Sequence, residues 1–514
     1  MKSCRAVVIL CLLLLWLSTV TGGAEGVSLR ILYFNDFHGF AEPYTPYGGT
    51  EPLGGIAWLA ARAQELRREK PSLLLAAGDF IQGHNWTNLS RGKAAVELLN
   101  LLEVDAMVAG NHEFDFGPEV LRKRIAEARF PVLGANVEGF DPLRPYVIRE
   151  VGGVRVAVLG VVTDDTPVAT HPRNVAGLTF HAPAETVSRH LGELRRRADI
   201  VVLLSHLGYG ADRKLAGQVP GIDVIVGGHS HTRVDHPTRI GNTLIVQAWE
   251  HGKALGVLDV DVEEGKIVAF NGRLEDIRPR GGAPDAAVQA LVEKYREQAD
   301  AALQGKAGET RVPLVGENVR RRETNLGNLI ADMMRELAGA DAAIINGGGI
   351  RSGIPAGTIR VKDVYTVLPF DNYIVAVRLR GHAIRQALEH GVSRVEEKAG
   401  AFPQVSGLSF AFDPQAPAGS RVREVTIGGR PLDLQKEYAV ATNDFLAAGG
   451  DGYTAFGDAV RSSADFALVG GMMKGEKLLY SDSGRWLRDA AVDWLRDKKT
   501  IQPAVEGRIR EVTR

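Results

Sequence analysis

Cysteine is almost missing from this sequence. The 514 residues hold two, Cys4 and Cys11, both in the first dozen positions. Without that stretch the chain has no thiol, which excludes a disulfide framework and leaves only nitrogen and oxygen donors for any metal. A surplus of charge is missing too. The formal charge is −1, and losing Lys2 and Arg5 takes it to about −3, which speaks against binding a nucleic-acid polymer. Long apolar runs are scarce as well. After residues 6–17 none is long enough to cross a bilayer, and residues 511–514 end the chain without the apolar tail of a lipid anchor.

The one apolar run has its own explanation. Lys2 and Arg5 precede residues 6–17, and Thr21-Gly22-Gly23-Ala24 supplies small residues for cleavage, so residues 1–24 read as a secretory signal peptide. Leu10 before Cys11 is not the small residue a lipoprotein signal carries. The product is expected to be secreted or periplasmic, with no stable membrane anchor, and monomeric. A hydrophobic content of 45% is ample for two or three packed domains.

What is present is organised around Gly110-Asn111-His112-Glu113-Phe114-Asp115. It follows an apolar run, residues 104–109, that reads as a buried strand, and Gly110 is expected to let the backbone turn sharply at its end. A bland reading makes Asn111 a helix cap and Glu113 its first-turn support. Its neighbours decide otherwise. Residues 29–34 end in Asn35-Asp36-Phe37-His38, residues 73–77 in Gly78-Asp79, residues 200–204 in Ser205-His206, and residues 224–226 in Gly227-Gly228-His229-Ser230-His231. Five strand-like runs deliver Asp, Asn or His at the carboxyl end, where α/β folds build sites. Such ligands suit Zn, Mn, Fe or Co, and seven of them suggest two divalent metal ions sharing a carboxylate.

This order of motifs resembles the calcineurin-like metallophosphoesterases, and Phe114-Asp115 behind the central motif is similar to their 5′-nucleotidase branch. The resemblance implies an α/β chain: an N-terminal four-layer α/β/β/α sandwich, a linker helix and a C-terminal mixed α/β substrate-binding domain. On this reading residues 27–280 form the dimetal domain, residues 281–306 the linker and residues 307–514 the substrate domain. The chain agrees with that division. Strand and helix alternate up to about Arg278, residues 243–247, 255–262 and 266–270 look antiparallel, and residues 284–303 read as one amphipathic helix after Arg278-Pro279-Arg280-Gly281-Gly282.

The resemblance also implies roles. Asp36, His38, Asp79 and His231 would hold one metal, and Asp79, Asn111, His206 and His229 the other. Many members have Gln or Asn where His231 stands, and characterised members often carry disulfides that this chain lacks. His112, oriented by Asp115, would act at the transition state or the leaving oxygen. Three segments of the second half match the family's substrate domain: Asn346 to Arg351 with three consecutive glycines, Leu368 to Asn372, and Asn443 to Gly452. Arg320, Asn346 and Arg351 would bind the phosphate or sugar side, Phe370 and Phe445 would sandwich a base, and Asn372 and Asp451 would bond base or ribose. Arg320-Arg321-Arg322 leaves that register open by a residue or two. The expected activity is removal of the 5′-phosphate from nucleoside monophosphates, with cleavage of UDP-sugars or other nucleotide pyrophosphates as an extension. A 2′,3′-cyclic-nucleotide phosphodiesterase, a sulfur-ester hydrolase and a non-catalytic binding protein are the alternatives. His84 and His251 read as supporting or exposed residues, and the glycosylation patterns at Asn85 and Asn88 are given no weight.

Overall fold

The computed structural model describes residues 26–45, 50–463, 465–469 and 472–512. The expected signal peptide, with Cys4 and Cys11, lies outside them. Among the described residues no helix is long and apolar enough to cross a membrane.

Five strands carry the candidate ligands at their carboxyl ends: β1 (Val27–Phe34), β2 (Ser72–Ala76), β3 (Ala106–Val108), β4 (Ile200–His206) and β5 (Val224–Gly227). They belong to two six-stranded sheets. The first runs Lys266–Asp276, Ala254–Glu263, β1, β2, β3, Val132–Leu133, and the second runs Thr238–Ile240, Thr243–Gln247, β5, β4, Val154–Val162, Tyr146–Val151. β1, β2 and β3 are mutually parallel, as are β4 and β5.

The apolar runs are long because both faces of these strands are covered. Alternate residues of the second sheet divide between two interfaces. Val156, Val158, Ile200, Val202, Val224 and Val226 pack into the core between the sheets. Ala157, Leu159, Val201, Leu203 and Ile225 pack outward with Leu191, Leu194 and Leu215 of the helices Pro183–Arg197 and Tyr209–Gln218. On the first sheet, the helix Ile56–Glu69 buries Ile56, Leu59, Ala60, Ala63 and Leu66, one stripe at helical spacing. Helix, sheet, sheet and helix make four layers. The helix Ala286–Ala302, capped where Val288 N donates to Asp285 Oδ1 at 2.8 Å, sets Val288, Val292, Tyr295 and Ala299 into that same core.

One strand pairs differently from its pattern. Residues 243–247 look antiparallel in sequence, yet Thr243–Gln247 runs parallel to β5 and antiparallel only to the edge strand Thr238–Ile240. Burial of all five residues hides the alternation that distinguishes the two.

The C-terminal half has a mixed five-stranded sheet, ordered Pro403–Ser406, Ala342–Asn346, Glu437–Asn443, Ile374–Arg380, Leu478–Ser481. The helices Asn325–Ala338 and Leu487–Lys498 cover one face. Gly381–Gly391, Thr454–Arg461 and a four-stranded sheet cover the other. Thr324 caps its helix by accepting from Gly327 N at 3.0 Å.

Candidate active site

The ligand-bearing residues meet where the carboxyl ends of the two sheets face each other. Asp36, His38, Asp79, His229 and His231 all have positive φ, between 47° and 73°. Non-glycine residues in this region cost about 1–3 kcal/mol each and persist where their surroundings enforce them. The enforcement is visible. Asp36 accepts from His229 N at 2.9 Å and from Asn35 Nδ2 at 2.6 Å. Asp79 accepts from His112 N at 3.1 Å.

Two donor clusters result, Asp36 with His38 and His231, and Asp79 with His206 and His229. His38 Nε2 lies 3.3 Å from His231 Nε2 and 3.7 Å from Asp79 Oδ2, so the clusters adjoin. Asn111 Oδ1 meets His229 Nδ1 at 3.0 Å. His112 also lies within ligand distance of His38 and Asp79, although its Nδ1 is turned to Asp115 Oδ2 at 2.6 Å.

The donors fit divalent cations. His38 Nδ1 faces Gln82 O at 3.1 Å, His206 Nδ1 faces Ala77 O at 2.6 Å, and His231 Nδ1 pairs with Glu250 Oε2. In each case an outer acceptor fixes the ring and leaves Nε2 pointing inward, the arrangement metal-binding imidazoles use. His206 Nε2 is completely buried 3.1 Å from Asp79 Oδ2, yet without hydrogen-bond geometry to it. Burial works against its charge, but Asp79 pushes its pKa up to about 10. A cation fits here better than that proton, because it satisfies nitrogen and carboxylate together.

Gly110 serves a different purpose from the sharp turn expected of it. Its φ is −96°, ordinary for any residue. A Cβ there would sit 2.2 Å from Asp79 Oδ1 and 2.7 Å from His206 Nε2, so only glycine lets the strand end approach the donors.

Two carboxylates escaped the sequence reading. Glu113 does support its short 3₁₀ turn by accepting from Gly110 N at 2.5 Å. It also accepts from Asp79 N at 2.8 Å, Phe80 N at 2.7 Å and Ile81 N at 3.2 Å, tying the Gly78-Asp79 loop to the central motif. Glu250 holds His231 and accepts from Lys253 Nζ at 2.6 Å. Since losing the outer partner of a metal-binding histidine typically costs about 10–100-fold in affinity, Glu250→Gln is expected to weaken metal binding at the His231 cluster by that factor. A metal titration of stripped protein checks this, and unchanged affinity would refute it.

The second half closes over the centre. Residues from both halves line one cavity of about 1130 Å³, among them Asp79, Asn111, His112, His229 and His231 from the first. Arg320, Asn346, Arg351, Phe370, Asn372, Phe445 and Asp451 line it from the second. Arg320 faces the cavity while Arg321 and Arg322 are exposed. Arg351 Nη2 reaches 3.0 Å from His38 Nε2. Burial, then the Arg320 cation beside it, lowers the Arg351 pKa to about 10, so an anion placed against it would be favoured. Phe370 lies against His112, ring centres 5.7 Å apart and planes tilted by 31°. Phe445 is only 9% exposed and its ring covers Gly450, so it is core as well as lining. Asp451 accepts from Asn346 Nδ2 at 2.6 Å, so those two hold each other. His251 stacks on Phe40 at 3.8 Å. Asn85 is buried and donates to Lys362 O at 2.9 Å across the two halves, leaving no room for a glycan in this arrangement.

Comparison with known proteins agrees with this architecture. Residues 29–233 match the calcineurin-like phosphoesterase family model, and residues 306–458 match the 5′-nucleotidase C-terminal domain. The 5′-nucleotidase of Homo sapiens is 32% identical over 97% of this chain and 93% of its own length. The chain belongs to the 5′-nucleotidase family. It is a metal-dependent phosphoester hydrolase with a two-domain α/β fold. The crystal structure of a 5′-nucleotidase precursor from Thermus thermophilus is similar at 38% identity and a TM-score of 0.85, covering 95% of this chain and all of that one. The trifunctional nucleotide phosphoesterase YfkN of Bacillus subtilis is 33% identical over 94% of this chain, which spans only 35% of that longer protein.

Proposed function

We propose that this protein removes the 5′-phosphate from nucleoside monophosphates, gripping the phosphate at the donor clusters and the base in the second domain. One observation carries the reading. A single cavity joins clustered carboxylate and imidazole donors, two cavity-facing arginines that form no ion pair among the described residues, and two phenylalanines drawn from the other half of the chain.

Asp36, His38, Asp79 and His231 are the proposed holders of one divalent ion, and Asp79, Asn111, His206 and His229 of the other. Two such ions supply Lewis acidity and a bound water of lowered pKa. The chain's own groups do the rest. Arg320 and Arg351 neutralise and orient the phosphate, which in turn relieves their buried charge. Asp115 holds His112 Nδ1, so Nε2 is the nitrogen free to meet the leaving oxygen or the charge developing at phosphorus. Phe370 and Phe445 offer ring faces to the base, while Asn372 and Asp451 offer polar atoms. Lys2, Arg5 and residues 6–17 support export of the product.

Sites for small molecules commonly measure about 300–1,000 Å³. A cavity of about 1130 Å³ therefore also favours substrates larger than a monophosphate, such as UDP-sugars or other nucleotide pyrophosphates. A turnover panel of AMP, UMP, UDP-glucose, a 2′,3′-cyclic nucleotide and an aryl phosphate, with several metals supplied, tests the reading. AMP and UMP should exceed the aryl phosphate in kcat/KM, and equal values would refute nucleotide selectivity. Because Phe445 is also core, Phe445→Leu is the useful variant. It keeps bulk, removes the stacking face worth about 1–3 kcal/mol, and should raise KM for AMP by about one to two decades while sparing the aryl phosphate.

A further inference from the structure

Residues 170–174 touch the two ends of the site at once. Facing inward, Thr170 Oγ1 donates to Asp115 Oδ1 at 2.5 Å, and Asn174 Nδ2 donates to Asp115 O at 2.7 Å. The first bond fixes the carboxylate that holds His112, and the second fixes the Asp115 backbone. Thr170 is buried, so the pairing is screened little by water. Facing the second domain, His171 Nε2 lies 3.3 Å and Arg173 Nη1 3.8 Å from Asp444 Oδ2.

Asp444 is unusual. It is completely buried, its Oδ1 accepts from Tyr373 N at 3.0 Å, and its Oδ2 has no hydrogen bond. A buried carboxylate is costly unless cations stand beside it. The partners here, the Arg173 guanidinium and the His171 imidazole, belong to the other half of the chain. Their pairing with Asp444 therefore exists only while the two halves are docked. Asp444 also immediately precedes Phe445, in a short helix capped where Leu446 N donates to Asn443 Oδ1 at 2.8 Å.

We propose that residues 170–174 are a positioning segment that couples docking of the base-binding domain, through Asp444, to the orientation of Asp115 and His112. The proposal rests on the nucleotide reading, since the base is what draws Asp444 into place. Thr170, His171, Arg173 and Asn174 line the same cavity and Asp444 does not, and none of the five belongs to the donor clusters. A base gripped beside Phe445 brings the Asp444 charge onto His171 and Arg173. The segment so anchored presents Thr170 and Asn174 to Asp115, and His112 is held in its working direction.

The test compares AMP with an aryl phosphate that has no base. Asp444→Asn keeps the acceptor for Tyr373 N and removes the charge. It should lower kcat for AMP about tenfold, shift KM little and leave the aryl phosphate unaffected. Arg173→Gln approaches the same contact from the other side and should give the same pattern, which guards against misfolding of the first variant. Thr170→Val should lower kcat for both substrates about tenfold, with Thr170→Ser restoring it. On AMP, Thr170→Val combined with Asp444→Asn should lose less than the product of the single losses. Multiplying losses in the double variant, or, for Asp444→Asn and Arg173→Gln, a change in KM alone or equal losses on both substrates, would overturn the coupling. Failure of the unaltered protein to prefer AMP would instead overturn the nucleotide reading.

Discussion

Replacing His112 by alanine should lower kcat by a factor of about 10²–10⁴, the usual contribution of a positioned acid–base or charge-stabilising group, while both metal equivalents remain. Three features lead to this expectation. The backbone N–H of His112, which donates to Asp79 Oδ1, survives the substitution, so the loop that presents Asn111 keeps its anchor. The ring is committed through Nδ1 to Asp115, which Thr170 and Asn174 hold in turn. Burial alone would lower the His112 pKa, but Asp115 and Asp79 together raise it, favouring an imidazolium able to donate a proton. Because Phe370 rests on the ring, a modest rise in KM should accompany the fall in kcat. Metal analysis beside steady-state kinetics decides the matter. A lost equivalent would make His112 a ligand, as its place within ligand distance of His38 and Asp79 allows.

Much of the centre is legible from sequence because each ligand sits just beyond an apolar run, and a strand fixes where its end must be. β1 buries Leu29 to Phe34 without interruption, and β4 buries all seven of its residues. The helix Ile56–Glu69 follows from a comparable pattern, an apolar stripe at helical spacing. Contacts between distant segments leave no such trace. Glu250 looks like any charged loop residue until folding sets it against His231, and Glu113 looks like a helix cap until it gathers Asp79, Phe80 and Ile81. Thr170 and Asn174 lie more than fifty residues from Asp115, and Asp444 more than two hundred and fifty from His171. Phe445 was legible only as an aromatic among glycines. Its burial over Gly450 comes from how the loop folds back.

Asp79→Asn should remove at least one metal and most of the activity while leaving the fold intact. Asp79 is the carboxylate common to both halves of the centre, with Oδ2 3.1 Å from His206 Nε2 and 3.7 Å from His38 Nε2. Burial would raise its pKa, but the neighbouring His206 and His112 hold it well below the usual carboxylate range. Asparagine is nearly isosteric and tolerates the left-handed backbone at this position, where φ is 64°. Its carbonyl can still accept from His112 N, and its backbone N–H can still donate to Glu113. Only the charge and one lone-pair oxygen disappear, and an N–H₂ turns toward imidazoles that need a cation. Changing an outer partner of a metal ligand already costs about 10–100-fold, so neutralising a shared ligand should cost more than that in turnover. Elemental analysis, a thermal melt and kinetics on one preparation separate the possibilities. Two retained metals with a near-normal rate would sink the shared-carboxylate assignment, whereas loss of at least one metal with an unchanged melt under matched metal conditions is the expected result.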